Sequence, residues 1–209
     1  LYEGSPETEL GQRLGQDVRV FGMLPDRFLL LIEGMQADLS GRRYATEEAL
    51  EEYLLRVAVI VGRATLDILG VKGAQADALS WQLGCAVQLT NIVRDVADDK
   101  KLGRVYLTES LLAREGLSRA DVLAANPPAA LKKVLAEVAQ MAARHYREAF
   151  ALMKGFSPWK MLPCRVMGYV YLKNLAKIER AGFPLLSPVK LSKREKLQSV
   201  FYALFKTFF

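Results

Sequence analysis

The chain has few of the residues that staple or activate a protein: two cysteines and one histidine among 209 residues. Cys85 and Cys164 each fall in an apolar stretch that reads as helical. Two such thiols argue against a disulfide framework or a Cys/His zinc set and for a reduced, cytoplasmic setting. His145 has no Ser or Cys beside it in a recognisable nucleophile motif, so it reads as structural or surface rather than catalytic. No apolar run reaches the roughly 18 residues that a membrane span requires, and no signal peptide is visible. Strand-period alternation, internal repeats and low-complexity segments are also missing, as is a glycine-rich dinucleotide fingerprint. Basic residues are dispersed rather than gathered in a dense stripe, and nothing resembles an RNA- or DNA-binding module, so a nucleic-acid partner is not expected.

What is present is an ordinary globular balance, 51% hydrophobic and 25% charged. That supports one sizeable core and a single domain over residues 1–209. The formal charge of +6 implies an anionic partner, such as a phosphorylated substrate or a membrane surface. The chain opens on Leu1 rather than Met, from which we expect that its true start lies upstream.

The most informative stretch runs from Gln88 to Leu107. At about 100° per residue, Gln88, Asn91, Asp95, Asp98 and Asp99 fall within one stripe of a helix spanning roughly Gln75 to Asp99. Leu89, Ile92, Val93 and Val96 cover the opposite side, and Trp81, Leu83, Cys85, Ala86 and Val87 make the preceding turns largely apolar. A helix apolar nearly all round belongs inside a fold, so its carboxylates are expected to line a cavity. Buried carboxylates need cations. An Asn and two Asp at i, i+4 and i+8 supply hard oxygen ligands, which suit Mg²⁺ shared with substrate phosphates. Lys100, Lys101 and Arg104 in the following loop are placed to meet a diphosphate. The plainer alternative is a helix end with surface acids, Arg94 and Asp98 forming an i, i+4 pair.

Elsewhere the pattern predicts helices throughout, hence an all-α fold. A polar helix from Thr8 to Val20 ends at Gly22, and Pro25 opens an apolar one. Thr46 caps a helix that runs through Tyr53 to Gly70. Ser118 and Asp121 form a capping-box start. A long amphipathic helix covers Pro128 to Lys154, and a last core helix covers Cys164 to Arg180, its entry punctuated by Pro158 and Pro163. The tail from Lys190 to Phe209 interleaves basic and aromatic residues. It reads either as a helix packed on the bundle, slightly favoured, or as an interfacial helix on anionic lipid.

The spacing Asn91-x-x-Arg94-Asp95-x-x-x-Asp99 followed by Gly103-Arg104-x-Tyr106-Leu107 resembles the second aspartate-rich motif of the squalene/phytoene synthase family. Leu31 to Leu39 (Leu-Ile-Glu-Gly-Met-Gln-Ala-Asp-Leu) is similar to bacterial presqualene diphosphate and phytoene synthases. Tyr53 stands four residues before a Val-Ala-x-x-Val-Gly string, as in the family, with Val59 where the family usually has Gly. Tyr171-x-x-x-Leu175-x-x-Ile178-Glu179 with Gly182-Phe183 resembles the family's C-terminal helix. Thr108 sits where Pro is frequent. The resemblance covers about Leu14 to Lys206.

That resemblance implies an isoprenoid-synthase-type helical bundle with a central cavity and a Mg²⁺-dependent head-to-head condensation of two allylic prenyl diphosphates. Asn91, Asp95 and Asp99 would hold metal. Gln88, Arg94 and Arg104 would meet diphosphate, and Tyr53 and Tyr171 would face the reacting carbons. For Tyr53 a core aromatic with a bonded hydroxyl is an equal reading. Two farnesyl diphosphates giving presqualene diphosphate or squalene is the preferred substrate pair, with NADPH needed only if squalene is the product. Two geranylgeranyl diphosphates giving phytoene, or a non-catalytic membrane-associated relative, are the alternatives. The expected setting is the cytoplasm, with peripheral membrane contact through the C-terminal tail. The family's first aspartate-rich motif lies upstream of the matched region, and no second DxxxD occurs here. We therefore expect some 60–90 residues of N-terminal helices to be missing, on the usual domain length, and the chain alone to be inactive.

Overall fold

A computed structural model describes residues 6–208. Among these residues every regular element is helical, in accord with the sequence pattern. Helix α1, Glu9–Phe21, starts where Thr8 Oγ1 accepts the Gly11 N–H at 3.1 Å, and it ends at Gly22 in the left-handed region. Helix α2, Pro25–Leu39, opens on its proline, whose missing N–H would have had no partner there. Thr46 caps α3, Glu47–Leu54, by accepting the Ala49 N–H.

The sequence pattern runs one helix from Thr46 to Gly70; the structure instead inserts a π-helical turn, Leu55–Val59, between α3 and α4, Ile60–Ile68. The turn lies where distant segments approach closely. A Cβ added at Gly84 would lie 2.8 Å from Val59 Cα, and one at Gly34 would lie 2.7 Å from Val57 Cγ1. Two glycines from different helices thus close on this wide turn from both sides, and periodicity along one segment cannot register that. Val59 itself is buried in the core.

Helix α5, Ala74–Lys101, is the axis of the molecule. It packs along α8, Leu131–Leu152, and also against α4, the π turn and α9, Pro158–Arg180. Leu79, Cys85, Ala86 and Leu89 of α5 meet Leu135, Val138, Ala139 and Ala142 of α8 in the core, all essentially without solvent contact. Two short helices lie between α5 and α8: α6, Glu109–Arg114, capped by Thr108, and α7, Arg119–Leu123, whose Ser118/Asp121 capping box forms as the sequence suggests. Pro163 does not interrupt the entry to α9. The helix already begins at Pro158, and the hydrogen bond that Pro163 cannot make falls in the first turns. Helix α10, Lys193–Phe208, packs on α9 and closes the bundle. Both cysteines are free and buried, and burial pushes the Cys85 thiol up to about 12 and Cys164 to about 11.

Candidate active site

The C-terminal half of α5 carries the polar row inside this frame. Asn91 Nδ2 donates to Gln88 Oε1 at 3.1 Å, which fixes the amide and leaves Asn91 Oδ1 buried with no hydrogen-bond partner. A buried acceptor left unmet costs about 1–3 kcal/mol, so the position suits an incoming cation or donor. One turn on, Arg94 grips Asp95 through Nε–Oδ1 at 2.8 Å and Nη2–Oδ2 at 2.5 Å. That bond raises the Arg94 pKa further and keeps the guanidinium charged. Its Cζ also lies 5.9 Å from the Tyr171 ring centroid.

Asp99 follows. Burial raises its pKa to about 6, with Asp95, Asp38 and Asp98 adding to the rise and Arg104 opposing it. Asp99, Arg104 and Tyr106 border one small recess. A half-buried carboxylate among other carboxylates, with one arginine to offset it, is an electrostatic deficit that a cation would remove.

The row stands beside two larger spaces. A pocket of about 230 Å³ lies between the π turn, α4, α5 and α9. Val57, Val61, Leu83, Val87 and Met167 give it apolar walls, and Gln88 and Asn91 form its polar rim. A second, of about 270 Å³, is lined by Arg94, Tyr171, Asn174, Lys190 and Lys196. Of the sequence-derived site residues, Gln88 and Asn91 thus meet at the first space, Arg94 and Tyr171 at the second, and Asp95 joins them through Arg94. Val59 is absent from the pocket walls, so the β-branched side chain fills core rather than cavity.

Three expectations need correction. Asp98 leaves the stripe and pairs with Lys101 at 2.8 Å in solvent, a bond that lowers its pKa. Lys100 does not face the site, because its Nζ donates to the Ala124 and Ala125 carbonyls at 2.8 and 3.2 Å. Lys101 is taken by Asp98, so Arg104 alone of the three loop cations neighbours Asp99. A lysine at a helix end meets unpaired carbonyls as readily as phosphate, and nothing local in the sequence distinguishes the two.

Tyr53 is buried, and its hydroxyl donates to Asp38 Oδ1 at 2.9 Å. The same oxygen accepts from Tyr106 at 2.8 Å. The rings of Tyr53 and Tyr106 stack with centroids 5.2 Å apart, and Tyr44 lies 5.2 Å from Tyr53. Burial first, then the neighbouring phenol and Asp38, push the Tyr53 hydroxyl far above its ordinary range, so it stays a donor. Asp38 is the residue the sequence reading left out of the site. It joins this tyrosine cluster to the neighbourhood of Asp99. Its only sequence signal was its place in the resembling Leu31–Leu39 stretch. His145 is structural, its Nδ1 2.6 Å from Gln82 Oε1.

The amide oxygen of Asn91 and the carboxylates of Asp95 and Asp99 are oxygen donors of the type that hard divalent cations take. Among the described residues no three acidic, His or Cys side chains gather on one point. Asn91 borders the apolar pocket, Asp99 the small recess, and both Asp95 oxygens accept from Arg94, so a cation would draw on these groups only as Arg94 releases Asp95.

A comparison with known families matches residues 3–195 to squalene/phytoene synthase. The presqualene diphosphate synthase of Rhodopseudomonas palustris is 35% identical over 200 residues, which cover 94% of this chain and 71% of that protein. The 15-cis-phytoene synthase of Pantoea ananas is 33% identical over 154 residues, 72% of this chain and 49% of that protein. The chain thus spans between about half and seven-tenths of the length of these relatives. Among solved structures, a dehydrosqualene synthase in complex with ligand superposes with a TM-score of 0.84 over 96% of this chain and 71% of the other, at 24% identity. Squalene synthase HpnC from Alicyclobacillus acidocaldarius gives 0.75 over 82% of this chain and 64% of the other, at 26% identity. The extent of the family match, with the fold agreeing, shows that the chain belongs to the squalene/phytoene synthase family of prenyltransferases.

Proposed function

We propose that this protein joins two allylic prenyl diphosphates head to head, two farnesyl diphosphates being the preferred pair. The observation that carries the reading is the junction of an apolar pocket with Gln88 and Asn91, the first members of a polar row that continues along the same helix to Asp95 and Asp99. A prenyl diphosphate has the same division, a hydrocarbon chain ending in a dense anion. Asn91, Asp95 and Asp99 are the residues that would hold Mg²⁺, whose chemistry when bound is to neutralise the charge on a departing diphosphate.

The chain's own residues account for the rest. Arg104, beside Asp99, and Arg94, exchanging Asp95 for phosphate, stabilise the leaving group as the allylic C–O bond breaks. The walls from Val57 to Met167 keep water from the resulting carbocation. The double bond of the second substrate then attacks, and loss of a proton closes a cyclopropane. Tyr53, held as a donor by Asp38, does not take that proton; released diphosphate is the base, with Tyr171 oriented beside Arg94. NADPH enters only if the cyclopropyl product is reduced to squalene. The polar row favours a catalytic role over a non-catalytic one, because a bound cation or donor would relieve the unmet Asn91 amide oxygen and the raised Asp99 carboxyl.

The test is product formation by the full-length gene product supplied with farnesyl or geranylgeranyl diphosphate, with and without Mg²⁺, beside Asp95→Asn. The expected result is Mg²⁺-dependent diphosphate release with a C30 lipid, falling about 10²–10³-fold in the variant, as when a transition-state charge partner is removed. A C40 lipid from geranylgeranyl diphosphate would shift the assignment to phytoene formation. Absence of product from either substrate would refute the proposal.

A further inference from the structure

Arg94 and Asp95 occupy each other. Both carboxylate oxygens of Asp95 accept from the one guanidinium, Nε–Oδ1 at 2.8 Å and Nη2–Oδ2 at 2.5 Å. Such a fork adds direction as well as energy to a charge-assisted pair. The two side chains keep only 22% and 26% of their exposure, so solvent screens them less than it would a pair on the open surface. A divalent cation brought to Asp95 would therefore meet a positive charge already seated on the same two oxygens. Asn91 Oδ1, one turn earlier, is buried with no partner at all. The row thus has an open donor at Asn91 and a closed one at Asp95.

The guanidinium has a second place to go. It forms part of the wall of the 270 Å³ space that Tyr171, Lys190 and Lys196 also line, and no carboxylate is among the residues that line it. The Tyr171 ring, 5.9 Å from Arg94 Cζ, supports the cation on that side. An anion entering this space would meet two lysines and compete with Asp95 for the arginine. The same movement would uncover Asp95.

We propose that the Arg94–Asp95 pair is an autoinhibitory contact that couples the two ligands of the site: an anion beside Lys190 and Lys196 takes Arg94, and Asp95 then becomes available to a divalent cation. This rests on the roles given to Arg94 and Asp95 above and adds an order and a coupling to them. Either ligand alone must break the pair and binds weakly. By linkage each then strengthens the other by a common factor, typically about 5–150-fold.

The test is calorimetric titration of inorganic diphosphate into the chain in the presence of a chelator, in the parent, Asp95→Asn, Arg94→Met and the double variant. Mn²⁺ binding in the absence of any anion is followed beside it by electron paramagnetic resonance. Metal-free diphosphate should bind Asp95→Asn at least about five-fold more tightly than the parent, although the variant lacks a proposed metal ligand. Mn²⁺ without anion should likewise bind Arg94→Met at least about five-fold more tightly. Simple through-space attraction would give the same signs, so the double variant decides. With Arg94 already removed, Asp95→Asn should change diphosphate affinity by less than about two-fold. Circular dichroism of each variant checks the fold. Unchanged metal-free binding in Asp95→Asn, unchanged Mn²⁺ binding in Arg94→Met, or an equal gain from Asp95→Asn with Arg94 absent would overturn the proposal. Product formation plays no part in these titrations, so failure of the coupling and failure of the catalytic reading are separate results.

Discussion

Helix α5 keeps two carboxylates and two amides among apolar neighbours, whereas α10 keeps a serine and an alanine inside and turns leucine and phenylalanine to water. Both depart from the ordinary amphipathic pattern, in opposite directions. The departures carry different costs. In α5 a polar group removed from water must be compensated or it destabilises the fold, so Asn91 Oδ1, buried without a partner, and the Asp99 carboxyl, raised by burial, are where a ligand would relieve a cost. In α10 exposed apolar surface leaves the folded state intact but favours association. The departure in α5 points to a ligand, whereas that in α10 leaves apolar surface facing water.

This contrast predicts unequal responses to substitution. The largest effect on stability should come from the buried side of α5: Leu89→Ala, at a site with no solvent contact, should cost about 2–5 kcal/mol in urea unfolding. Phe201→Ser on α10, though it removes a larger side chain, should stay within about 0.5 kcal/mol. Equal losses would mean that α10 is part of the core and would erase the distinction.

Next should come Asp38. Asp38→Asn weakens the acceptor for two phenols at once, with an expected loss of about 1–3 kcal/mol. Tyr53→Phe in the same background should add less than it does alone, because the two share one bond. Strict additivity in the double-mutant cycle would show that the cluster is not coupled.

Smallest should be Lys100→Met. It removes the donor to Ala124 and Ala125 and should cost about 0.5–1.5 kcal/mol. Its effect on diphosphate binding should be nil, in contrast to Arg104→Met. A binding loss equal to that of the arginine variant would return Lys100 to the site.

These residues also show what the sequence could reveal. The row on α5 was legible because Gln88, Asn91, Asp95 and Asp99 repeat at helical spacing, and neither their side of the helix nor its apolar surroundings depends on the rest of the fold. The capping residues Thr46 and Ser118 act within their own first turns, so those helix starts are legible too, whereas the sequence pattern gives no helix at α6. The π turn was not, because Gly34 and Gly84 reach it from distant helices. Asp38 meets Tyr53 and Tyr106 across 15 and 68 positions of chain, a convergence that no local period encodes. Lys100 was misassigned for a related reason: its carbonyl partners lie 24 and 25 residues away, across α6 and α7. Asp98 sits at the stripe's edge, where a single helical position decides between cleft and solvent.

The most direct test of the α5 site is calorimetric titration of inorganic diphosphate into this chain, with and without Mg²⁺, in the parent and in Asp99→Asn. The site described here predicts binding that needs Mg²⁺ and weakens at least about ten-fold in the variant, the effect of losing one charged partner. Binding of equal strength without Mg²⁺, or unchanged by Asp99→Asn, would contradict it.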